Sequence, residues 1–246
     1  MIHAILVLAL GAAAQAVPNW TDIVARLDAA TAAADAAALR TAIADAEKLA
    51  DATGLDRERE LALNGAAYGE WRLSTTAGVS PDESARLLKS AEKNLRELLK
   101  LNPKSGEASA LLASVLGQMI RLGGGAGKMT LGPESSEMRE QALKLEPNNP
   151  RVMLQAAITL FRTQPQYGGG PEKAEPLLRQ ALALFDREPA RRPWPNWGRF
   201  DVHAWLGQVL AARGDKAAAR AEYEAALGVW PGNEWVKAVL LPALDR

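Results

Sequence analysis

The sequence predicts an all-α fold, a right-handed α-solenoid of antiparallel helix pairs with long turns inside the pairs, and three observations predict it. Apolar residues recur at three and four positions and almost never alternate, which is the period of a buried helix stripe and not of a strand. Proline and glycine stand between these stripes, where helices have to end. The segment Lys100-Leu101-Asn102-Pro103 returns as Lys144-Leu145-Glu146-Pro147, so one way of ending a helix is used twice. Composition agrees, since 246 residues at 48% hydrophobic and 24% charged supply an ordinary core. Lysine plus arginine and aspartate plus glutamate number 29 each, so no global field draws the chain onto nucleic acid or an anionic membrane. The lack of cysteine excludes disulfides, thiolate zinc sites and a lipidated cysteine.

The chain divides into residues 1–16, 17–55 and 56–246. From Ile2 to Ala16 only His3 and Gln15 are polar, and Ala14-Gln15-Ala16 suits a peptidase that admits small side chains, so a signal peptide cleaved after Ala16 is expected. Met1-Ile2-His3 lacks the customary basic residue, and the competing reading is a buried helix. No later stretch approaches about 18 apolar residues, which implies a periplasmic or secreted protein without membrane insertion once the leader is removed. Between Asn19 and Ala52, Trp20, Ile23, Leu27, Leu39 and Ile43 anchor an alanine-rich helix pair that caps an otherwise sticky end.

First helices of the next pairs run from Asp56 to Leu73, Ser105 to Leu122 and Pro150 to Arg162. The turns Ser74 to Ser80, Gly123 to Gly132 and Thr163 to Gly170 follow them. Each turn leads into Pro81-Asp82-Glu83, Pro133-Glu134-Ser135 or Pro171-Glu172-Lys173, with proline at the first helical position and acid facing the helix dipole. The helix from Pro171 to Phe185 packs Ala174, Leu178 and Ala181 and should bend at Pro176. In the connector Asp186 to Gly198, Trp194 and Trp197 flank Pro195; they either face a partner or fold back over the last pair. That pair places Leu206, Val209 and Leu210 on one helix and Ala219, Tyr223 and Ala226 on the next, with Gly214-Asp215 between them. Trp235 to Leu244 closes the array as a single helix.

From Phe200 to Asn233 the chain resembles a tetratricopeptide repeat of about 34 residues, with Leu206, Gly207, Leu210, Gly214, Ala219, Tyr223, Ala226 and Pro231 at the family's positions. His203 stands where the family often has tryptophan. Gly65 with Tyr68, and Gly117 with Ile120, repeat the family's glycine and large residue three positions on. The resemblance implies protein or peptide recognition, with the first helix of each pair lining a concave face. In that register Arg59, Glu70, Gln118, Arg121, Arg151, Phe161, Arg162, Asp201 and Gln208 point into the groove, and its four arginines favour an acidic peptide or one ending in a free carboxylate. The family's carboxylate clamp is missing, because Ala62, Ala66, Ser114 and Gln118 occupy its lysine and asparagine positions. Lys128, Tyr167, Trp194 and Trp197 are the candidates on the loop side.

Chemistry is poorly supplied. The run from Gly123 to Thr130 fails as a phosphate loop, because Leu122 replaces the leading glycine and Met129 replaces the serine or threonine after Lys128. Beyond the leader His203 is the only histidine, on a packing position, so no catalytic or metal-ligating set and no cofactor is expected. The function expected is a non-catalytic interaction scaffold of the cell envelope. The alternative is a helper subunit for periplasmic small-solute uptake, which would need a cavity between repeats where a scaffold needs an open groove.

Overall fold

The computed structural model describes residues 19–123, 126–188 and 197–246. The expected leader and Trp194 lie outside these residues, as does the side chain of Lys128. The described part is helical, without a strand. Helices α1 (Trp20–Ala33), α2 (Ala36–Ala52), α3 (Asp56–Leu73), α4 (Pro81–Leu101) and α5 (Gly106–Gly123) are followed by α6 (Ala126–Leu145), α7 (Pro150–Arg162), α8 (Pro171–Phe185), α9 (Arg199–Ala212) and α10 (Lys216–Val229). A π-type turn, Val236–Leu240, and the short α11 (Leu241–Leu244) end the chain.

Local chemistry sets most boundaries. Asn19, Asp35, Ser80, Asn149 and Asp215 each accept a backbone N–H in the first turn of α1, α2, α4, α7 and α10. Each such cap contributes about 1 kcal/mol to the helix it starts. Pro81, Pro150 and Pro171 occupy the first helical positions, where a missing N–H costs nothing.

Each helix packs on the next, and the first helices α1, α3, α5, α7 and α9 also touch in succession, so they share one side of the array. The core follows those contacts. Trp20, Ile23 and Leu27 meet α3, where Gly65 and Gly69 let α1 and α2 approach. In the last pair a Cβ on Gly207 would lie 2.4 Å from the Tyr223 ring, so glycine is required for α9 and α10 to close. Gly117, its supposed counterpart, has no such neighbour: the nearest atom to a Cβ there is Nη1 of Arg121, 4.0 Å away. The glycine of the repeat motif therefore acts in α3 and α9 but not in α5.

Two expected turns differ. The segment Gly123 to Gly132 is mostly helix, because α6 starts at Ala126 and runs through Pro133. Leu131 and Met138 pack on the core and Gly127 sits against Ile120, so tertiary contacts override the poor helix propensity of this stretch. Thr163 to Gly170 is a turn, but a shaped one. Pro165–Tyr167 form a 3₁₀ turn, Gly168 and Gly170 have φ of 84° and 115°, and a Cβ on Gly169 would collide with the Thr163 carbonyl. At the other end Val236, Leu240 and Leu244 are buried, and Arg220 pairs with Asp245 at 2.5 Å, fixing the tail on α10.

Candidate functional site

The side formed by the first helices is occupied along much of its length by the chain's own residues. Trp197, at the end of the connector, stacks on Tyr68 of α3 with ring centroids 5.0 Å apart and lies 6.4 Å from Trp71. Beside it Arg72 of α3 donates to Asp201 of α9 at 2.6 Å. Burial opposes the charge on Arg72, but Asp201 outweighs it and holds the guanidinium above its ordinary range; burial also pushes the Tyr68 phenol far up. Arg151 is 1% exposed and grips Glu188 with two hydrogen bonds of 2.5 and 3.0 Å. Its guanidinium lies 5.1 Å from the Phe185 ring centroid and 5.7 Å from that of Trp197.

These contacts correct the expected peptide-facing set. Arg151 and Asp201 are buried ion-pair members, Arg59 pairs with Glu97, and Gln118 donates to the Ser74 hydroxyl at 2.9 Å. Glu70 is buried and accepts from Asn94 at 3.0 Å; burial, with Glu47 nearby, pushes its carboxyl up to about 8. Gln208 hydrogen-bonds the Ala204 carbonyl at 3.4 Å. Trp197 is buried, but on Tyr68 and Trp71 of α3 and beside Arg151 of α7, so it neither faces a partner nor covers the last pair as expected. His203 hydrogen-bonds Glu222 at 2.7 Å between α9 and α10, a packing role. The expected excess of positive charge along the groove therefore shrinks to two residues.

Those two are Arg121 and Arg162, in the last turns of α5 and α7. Arg162 lies over Trp205, with its Cζ 4.6 Å from the ring centroid. Phe161 meets the same indole edge-on at 6.2 Å, and Trp235 lies 6.0 Å away on the other side. Arg121 donates to the Gly117 carbonyl at 3.2 Å and is close enough to Arg162 for their charges to repel. The protein packed behind Arg121, and then Arg162, bring its guanidinium down to about 10; burial lowers Arg162 as well. Both side chains reach solvent, and both stay charged at neutral pH. No carboxylate among the described residues pairs with either.

The result is an exposed ledge of two guanidiniums, with Arg162 covering the buried Trp205 ring and the partly exposed Phe161 and Trp235 around it. Sequence reasoning found Arg121, Arg162 and Phe161 but not their neighbours Trp205 and Trp235. The periodicity of α9 buries Trp205, and nothing local signals the arginine two helices away that covers it. Large exposed side chains continue along the same ends of the pairs, with Met129 87% and Tyr167 71% exposed. At the opposite ends the Asn149 and Glu146 turn lines two open clefts, a mostly apolar one of about 510 Å³ and a polar one of about 250 Å³. Among the described residues no group of three or more acids or histidines is arranged to hold a metal, and no helix is long and apolar enough to cross a membrane.

The fold and ledge define an all-helical protein of packed helix pairs with an aromatic, positively charged surface. Among solved structures it is similar to the HusA haemophore from Porphyromonas gingivalis, with a TM-score of 0.65 and 25% identity, over 78% of this chain and 92% of that one. No family model matches the sequence, and no curated protein matches it.

Proposed function

We propose that this chain is a non-catalytic binding protein working outside the cytoplasm, and that it captures a flat, anionic small ligand of the haem class on the Arg121, Arg162 and Trp205 ledge. The observation that carries this reading is the pair of exposed arginines without acidic partners among the described residues, one of them lying over an aromatic ring. Likeness to a haemophore over nearly that protein's whole length supports the ligand class. The apolar leader with its small residues before Val17 supports export. We read the helix pairs as a tetratricopeptide-like right-handed α-solenoid, on the residues of the last pair.

The test is titration of the purified protein with haem, following the Soret band and tryptophan fluorescence. A saturable shift at one equivalent with quenching is expected; unchanged spectra at micromolar haem would end the haem reading. Mass spectrometry of protein from the cell envelope should find Val17 as its first residue, and a full-length cytoplasmic product would contradict export.

The exposure of Met129 and Tyr167 favours a second reading, a scaffold that holds a partner protein or acidic peptide at the turn ends. Crosslinking in envelope extracts with the native chain and a Met129→Glu, Tyr167→Glu variant separates the two. Loss of a specific crosslinked partner from the variant supports the scaffold.

A further inference from the structure

Resting on the haem-class reading, we infer that Arg121 and Arg162 form a two-pronged carboxylate fork, so that the ligand is selected by its paired acidic side arms. Arg121 and Arg162 stand in the last turns of α5 and α7, two first helices that pack on each other, and no acidic residue of the described chain pairs with either. Each prong is held for a reason. Trp205 holds Arg162 by a cation–π contact, with Cζ 4.6 Å from the ring centroid, and the exposed guanidinium can give a carboxylate two hydrogen bonds. The Gly117 carbonyl takes one N–H of Arg121 and leaves its other donors free. Trp235, 37% exposed, supplies an apolar edge beside the fork for the body of the ligand.

The alternative role, offsetting the dipoles of α5 and α7, needs positive charge near the helix ends but no stacked or paired geometry. It also places no requirement on what the ligand carries.

The experiment compares the intact protein with Arg121→Gln and Arg162→Gln variants, using haem, metal-free protoporphyrin and the dimethyl ester of each. Esterification removes both negative charges and leaves the ring in place. A charge-assisted hydrogen bond lost at either arginine should weaken binding of the free acids about tenfold, and the ester should bind the native protein weakly and each variant equally weakly. Circular dichroism of the variants should match the native chain, because neither arginine supports the core. Haem bound equally by native protein, variants and ester overturns the fork while leaving the haem-class reading intact. Protoporphyrin bound in an arginine-dependent way without haem binding keeps the fork and removes iron from the ligand; no binding of either porphyrin overturns both.

Discussion

Two pairs of arginines stand on the first helices and their neighbours, and they live in opposite circumstances. Arg72 and Arg151 are locked to Asp201 and Glu188 in a dry setting of aromatic rings, whereas Arg121 and Arg162 lie at the helix ends with no acid beside them. All four stand in the first or last turn of a first helix, so position along the helix does not separate them. What separates them is an acidic side chain arriving from a distant part of the sequence: Asp201 and Glu188 reach the buried two, and among the described residues none reaches the exposed two. Trp197 stacks on Tyr68 and lies 5.7 Å from the Arg151 guanidinium, whereas Arg121 and Arg162 are exposed.

The sharpest way to break this contrast is to remove a sealed arginine. Arg151→Ala leaves Glu188 without its bidentate partner and opens a void between Phe185 and Trp197, so a loss of about 3–5 kcal/mol is expected in urea unfolding. A loss under about 1 kcal/mol would mean that the pair is not sealed at all.

Glu70→Gln probes the same interior through pH. The folded carboxyl titrates near 8, well above its ordinary 4.5, so the folded state holds a proton that the unfolded state has released between those values. Its contribution is complete below about pH 4.5 and disappears as pH rises through 8. Native stability should therefore fall over that window, by on the order of 3 kcal/mol, and the glutamine variant should lack this fall. Thermal melts of both proteins from pH 5 to 8.5 decide it, and parallel curves would refute the shift.

Smaller effects sharpen the boundary between the regions. Gly207→Ala drives a methyl into Tyr223 and should cost about 1–3 kcal/mol in denaturant unfolding. Gly117→Ala meets open space in the interior of α5 and should stabilise by about 0.5–1 kcal/mol; a destabilised variant would place Gly117 in a tight contact after all. Arg162→Gln should leave the midpoint within about 0.5 kcal/mol of native, and a larger fall would return Arg162 to the structural class.

Much of the fold was legible from the sequence because its signals are local. Prolines at first helical positions, such as Pro81 and Pro171, and apolar stripes each act within a turn or two of chain. The start of α6 was misread for the opposite reason. Its glycines and Pro133 signal a turn, and only packing of Leu131 and Met138 against other helices reverses that preference. The candidate site divides the same way. A basic residue at a helix end is visible in sequence, but its partner is not: Glu188 lies 37 positions from Arg151, and Glu97 lies 38 from Arg59. Counting charges on one helical face therefore overestimated the groove, and the ledge emerged only after the occupied arginines were subtracted.

The bond between Arg72 and Asp201 spans 129 positions of sequence. In a linear array whose units touch only their neighbours, an end can fray without disturbing the other. Here the second pair and the fifth share a buried charge and a stacked ring, so losing the last pair strands a guanidinium and a tyrosine far upstream. During synthesis, Tyr68 and Arg72 have to wait for the carboxyl-terminal third of the polypeptide before their surroundings are complete, and a shortened protein ending before Trp197 should be prone to aggregate and not merely shorter.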